Sequence, residues 1–110
     1  MAYDERLAEW IRESLAGEKK LTEKKMFGGL GFMVGGNMAI AASGQGGILV
    51  RVDPDESDAL VAKTKAYPME MRGRQMAGWL RVDAKDVPTK RELAKWVARG
   101  TAYARSLPPK

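Results

Sequence analysis

Apolar positions first recur at Leu7, Trp10, Ile11 and Leu15. Spacings of three and four residues put these side chains on one face of a helix. The pattern predicts a helix from Asp4 to Ala16, with Asp4, Glu5 and Glu9 toward its positive N-terminal end and Gly17 as its stop. The following "GEKKLTEKK" has no apolar period and reads as a polar connection. From Leu30 the period changes to two. Leu30, Phe32 and Val34 alternate with Gly31 and Met33, and Met38, Ile40 and Ala42 alternate on the way back. Between them, Gly35-Gly36 suits the positive φ values of a two-residue hairpin turn. "SGQGG" turns the chain again, and Ile48, Val50 and Val52 form the next predicted strand.

A second helix is predicted at Asp53-Pro54-Asp55-Glu56, where Asp53 caps, Pro54 suits the first turn and Glu56 completes a capping box. Ala59, Leu60 and Val61 are its expected inward residues, and it ends before Tyr67-Pro68. "PMEM" is a short extended segment, and Met76 to Val82 alternates again, with Met76, Gly78, Leu80 and Val82 sharing a side. Thr89 and Glu92 open a third helix, whose stripe is Leu93, Trp96, Val97, Tyr103 and Leu107. Gly100 lies on that stripe. Glycine costs about 1 kcal/mol against alanine inside a helix, so it marks a close approach or a break. Strands joined by tight turns are antiparallel. The expected fold is therefore a single α+β domain over residues 1–110, a two-layer structure with an antiparallel sheet of four to five strands and three helices on one face.

Composition mainly excludes. The chain has no histidine and no cysteine, which removes a Ser-His-Asp triad, a cysteine nucleophile and a thiolate or imidazole zinc site. An enzyme is not expected, nor a cofactor or a metal; Asp53 and Glu56 are explained as helix caps, and Asp58 lies too close to the same helix start to suggest a metal site. Net charge is +5 from 19 basic and 14 acidic residues, which favours salt-sensitive contact with anions. The signs alternate and no long basic block occurs, so contact with nucleic acid is expected to be weak at most. The glycine-rich "MFGGLGFMVGGNMAI" invites a phosphate-loop reading, but its spacing fails. Counting from Gly29 and Gly31, the third fingerprint glycine falls at Val34, and no GxxxxGK[ST] occurs. With no leader pattern and no long apolar run, no membrane contact and cytoplasmic residence are expected.

The same stretch, with "LVRV", "GRQMAGWLRV" and "WVARGTAYARSLPP", resembles the N-terminal domain of the TfoX/Sxy competence regulators, over nearly the whole chain. The resemblance implies a stand-alone copy of that domain, without the second, helical domain of longer members. It implies a secretion-chaperone-like α+β fold and a part in transcriptional regulation of DNA-uptake genes, and it supplies no catalytic residues. The partner it implies is a protein of unknown identity, with a transcription factor as the candidate.

Strand parity nominates the interaction residues. If Leu30, Phe32, Val34, Ile40, Val50 and Leu80 face the helices, then Met33, Ala39, Ala41, Leu49, Arg51, Trp79 and Arg81 face the other way. Three helices cover one face of a small sheet, so this second face is expected to stay partly open. Trp79, Leu49, Arg51, Arg81 and Met33 are the candidate partner-binding residues, with an Arg–Trp79 cation–π contact and a homodimer as simple uses. Arg72, Arg74, Lys24 and Lys25 are a candidate anion-binding set, because Gly73 brings backbone N–H groups beside two guanidinium groups.

Overall fold

The computed structural model describes residues 3–26, 28–71 and 73–109. In chain order the elements are α1 (Glu5–Ser14), β1 (Leu21–Met26), β2 (Gly29–Val34), β3 (Asn37–Ala42), β4 (Ile48–Arg51), α2 (Pro54–Lys63), β5 (Tyr67–Met71), β6 (Arg74–Val82), a short 3₁₀ turn at Ala84–Asp86, and α3 (Lys90–Ser106). Six antiparallel strands form one sheet in the order β1-β2-β3-β4-β6-β5. The architecture is the expected α+β fold, with one strand more than the upper expectation.

The extra strand is β1, inside the segment read as a polar connection. It pairs with β2 in unbroken register from Leu21↔Val34 to Met26↔Gly29. Being at the sheet's edge, it leaves Thr22, Glu23, Lys24 and Lys25 exposed, so no buried face imposes alternation on it. Charged residues on an edge strand exclude partners whose charges do not match them.

The helices form where their caps require. Asp4 accepts hydrogen bonds from the N–H groups of Arg6 and Leu7 (2.9 and 3.3 Å), Asp53 from Asp55 (2.9 Å), and Thr89 from Glu92 (3.1 Å). Leu7 and Ile11 of α1 and Leu93, Trp96 and Val97 of α3 join Phe32, Ile40, Ile48, Val50, Leu80 and Val82 of the sheet in one core. Within α2, Leu60 and Val61 lie against that core; Ser57 is buried and the expected Ala59 is exposed. All three helices thus serve the same sheet face. Among the described residues no helix is long and apolar enough to cross a membrane.

Two irregularities shape the other face. Register between β2 and β3 shifts at Phe32/Met33, so that Phe32 faces Ile40 while Met33 faces Met38. The surplus residue is Ala39, a β-bulge. Parity alone put Ala39 on the open face and Met38 in the core; the bulge reverses both. Ala39 is fully buried within the core, and its carbonyl oxygen lies 2.2 Å from where a Cβ on Gly100 would stand. Gly100 is therefore a close approach, where α3 rests on the bulge. The second irregularity separates Pro68↔Leu80 from Met69↔Met76. It leaves Ala77, Gly78 and Trp79 of β6 without counterparts in β5, and Gly78 takes the positive φ of 85° at that bend.

Candidate functional site

The uncovered face is built from cross-strand neighbours. Leu49 of β4 pairs with Arg81 of β6, and Arg51 with Trp79 one step along. Leu49, Arg51, Trp79, Arg81 and Met33 are all partly exposed, whereas Ile48, Val50 and Leu80, their neighbours on the helix side, are fully buried. The five candidate residues do share a face, but the structure sorts them into two groups.

One group surrounds a groove of about 230 Å³. Its floor and walls are Met38, Ala41, Leu49, Arg81, the Ser43–Gln45 turn, and Met69 with Glu70 from β5. Arg81 is not a free cation there. Its Nη1 donates to the Ser43 Oγ at 3.0 Å, and Ser43 Oγ also accepts from the Gln45 N–H at 3.1 Å. The guanidinium is thus anchored beside Leu49, so that the groove presents thioethers, a leucine, one fixed cation and the carboxylate of Glu70. Methionine is a flexible, polarisable side chain suited to surfaces that adapt to an occupant. Met33 lies alongside, as the cross-strand neighbour of Met38.

The second group is a stack at the end of β4. The Arg51 guanidinium carbon stands 5.2 Å from the centroid of the Trp79 ring and 5.5 Å from that of Tyr103 on α3. One cation therefore ties β6 to the third helix through two aromatic faces. The expected Arg–Trp79 contact is made, with Arg51. Tyr103, which parity placed simply in the helix stripe, is its third member.

The anion-binding set does not assemble. Lys24 and Lys25 lie on β1, the first strand in the sheet order, and Arg74 begins β6, the fifth. Four strand spacings alone separate them by about 19 Å. They also sit near opposite ends, because β1 approaches its hairpin at Met26 while Arg74 starts from the hairpin of the antiparallel far side. Arg72 lies outside the described residues. Of the glycines in "MFGGLGFMVGGNMAI", Gly35 and Gly36 form the β2–β3 turn, with φ of 61° and 86° as the hairpin reading requires, and Gly29 and Gly31 lie within β2.

Sequence reasoning missed Ser43 as a groove residue, and alternation alone set Met38 with Ile40 on the core side. It also missed Asn37, a buried amide whose Nδ2 donates to the Pro108 carbonyl at 3.0 Å. That bond fastens the proline-rich tail to the start of β3 and gives the asparagine of "GGNMAI" a structural task. The remaining perturbed groups lie at the surface. Glu23 is held below its ordinary carboxylate range by hydrogen bonds from Arg12. The Tyr67 phenol is raised, because its hydroxyl donates to the Asp83 carboxylate at 2.7 Å.

The family described as TfoX N-terminal domain matches residues 13–104, from the last part of α1 into the last turn of α3. No curated protein and no solved structure matches the chain.

Proposed function

The chain belongs to the TfoX N-terminal domain family, and from that premise we propose that it is a non-enzymatic regulatory module of the cytoplasm, acting by protein contact through the uncovered sheet face. The observation that carries this reading is the groove beside Leu49 and Arg81. A sheet face with partly exposed apolar side chains, a fixed arginine and an aromatic nearby has the make-up of an interface centre. Arg81 is already positioned by Ser43, so an occupant does not have to order that long side chain on binding. The family supports a partner in transcriptional control, with a transcription factor as the candidate.

The test is genetic and structural together. Transcript levels are compared in a strain lacking the gene and in the same strain carrying the wild type or Leu49→Glu. The wild type is expected to restore the altered transcripts. Leu49→Glu, which puts a carboxylate in the groove, is expected to fold with unchanged far-UV dichroism and to restore none of them. Unchanged transcripts on deletion would remove the regulatory reading, and full rescue by Leu49→Glu would remove the groove from it.

A further inference from the structure

The two edges of the sheet are not equivalent. The β5 edge carries Pro68 and the irregularity at Pro68/Met69, both of which obstruct pairing with another strand. The β1 edge has no proline and keeps its register unbroken over six residues. Which of its backbone groups are free follows from one bond. The Lys20 carbonyl accepts from the Gly35 N–H at 3.1 Å, in the same register as the rest of the β1–β2 ladder. Hydrogen-bonded pairs alternate along antiparallel strands, so Thr22 and Lys24 turn their backbone groups toward β2. Leu21, Glu23 and Lys25 turn theirs toward the open edge.

We infer that β1 is a self-association edge: two copies pair antiparallel about a two-fold axis at Lys24, with Glu23 of each opposite Lys25 of the other. Only registers that match outward-turned residues with one another are open to a second β1. Centring on Lys24 sets Glu23 against Lys25 twice, with four backbone hydrogen bonds, and charge opposite charge in both places. Centring on Glu23 instead opposes two carboxylates. Lys25 makes no ion pair among the described residues, so its charge is available. Glu23 keeps its Arg12 contact from the helix side of the strand. The two Lys24 side chains meet on the opposite face, where both are exposed and salt screens them. Because the axis is perpendicular to the sheet, both uncovered faces end on the same side, with the two grooves separated by the β1 and β2 strands of each copy. This association stands independently of the regulatory reading.

Charge exchange tests the pairing. Sedimentation equilibrium from micromolar to millimolar protein is expected to show a weak monomer–dimer equilibrium for the wild type. Glu23→Lys alone and Lys25→Glu alone each set like charges opposite each other in both places, and each is expected to weaken association by about tenfold or more. An equimolar mixture of these two variants is expected to dimerise again, because each chain then offers the other opposite charges at both positions. Lys24→Thr is expected to strengthen the wild-type dimer by removing the repulsion at the axis. A wild type that stays monomeric at millimolar concentration overturns the inference. So does a dimer that is unmoved by Lys25→Glu and lost in Trp79→Ala, which would place self-association on the open face instead. Lys25→Glu breaks no contact of the described fold, so its effect is read without a folding defect.

Discussion

The two faces of this sheet are made by the same strands and differ by one residue of phase. Phe32, Ile40, Ile48, Val50 and Leu80 on the helix side are all fully buried. Leu49, Trp79, Arg81 and Met33, each next in sequence to one of them, are partly exposed, and Leu49 pairs across the strands with Arg81. On the helix side the hydrophobic effect does the holding, with those five side chains removed from water. On the other side a serine fixes an arginine, and an arginine joins two rings. One face stores stability and the other keeps shape while staying accessible.

The comparison breaks most sharply at Phe32. Truncation to alanine leaves a cavity between α1, α3 and the sheet that rigid neighbours cannot refill, and is expected to cost about 4 kcal/mol. Chemical denaturation would show it as a large fall in midpoint; a fall under about 1 kcal/mol would mean that the core is loosely packed.

Gly100 probes how closely the helix layer sits. A methyl group there meets the Ala39 carbonyl at 2.2 Å and Val50 Cγ1 at 3.2 Å. The first contact is with backbone inside a bulge, which has nowhere to move. Despite alanine's better helix propensity, Gly100→Ala is expected to destabilise by about 3 kcal/mol. A neutral or stabilising result would show that α3 lifts freely from the sheet.

On the other face the same size of change should matter far less to folding. Trp79→Ala removes a partly exposed ring and its contact with Arg51, for an expected loss of about 1 kcal/mol. The far-UV spectrum should be unaltered, while regulation in the complementation assay falls. A loss as large as that of Phe32→Ala would mean that Trp79 is a core residue and that the faces do not differ as described.

Which parts of this were legible in the sequence follows from the same contrast. Where one face is buried, alternation is enforced, and the positions of Phe32, Ile40, Val50 and Leu80 could be read from spacing alone. Caps at Asp53 and Thr89 were equally legible, because they depend on neighbours two or three residues away, whereas Asp4 was read as a first-turn acid and is the cap. An edge strand has no buried face to announce it, so β1 read as a connection. The bulge at Ala39 was hidden for another reason: what packs against it is a helix some sixty residues later in the chain. Likewise the groove takes Ser43 from a turn and Met69 from a bent strand, and only the long-range pairing of β4 with β6 brings them beside Leu49.

At the edge the contrast between faces shrinks to a single ion pair, and this sets the smallest expected effect. On the helix side of β1, Glu23 accepts from Arg12 Nε at 2.8 Å and from Nη2 at 2.9 Å; on the other side Thr22 and Lys24 are exposed. The bidentate contact lowers the Glu23 carboxyl below its ordinary value of 4.5. The unfolded chain therefore takes up this proton first as pH falls. The stabilisation is complete above about pH 4.5 and is lost as pH drops through the lowered folded value. Both side chains are about a third or more exposed, so solvent screening limits the effect to about 0.5 kcal/mol. The stability difference between wild type and Glu23→Gln should be that small near neutral pH, vanish in acid, and shrink in high salt. A difference that persists unchanged in acid would show that the charge of the Glu23–Arg12 pair is not its source.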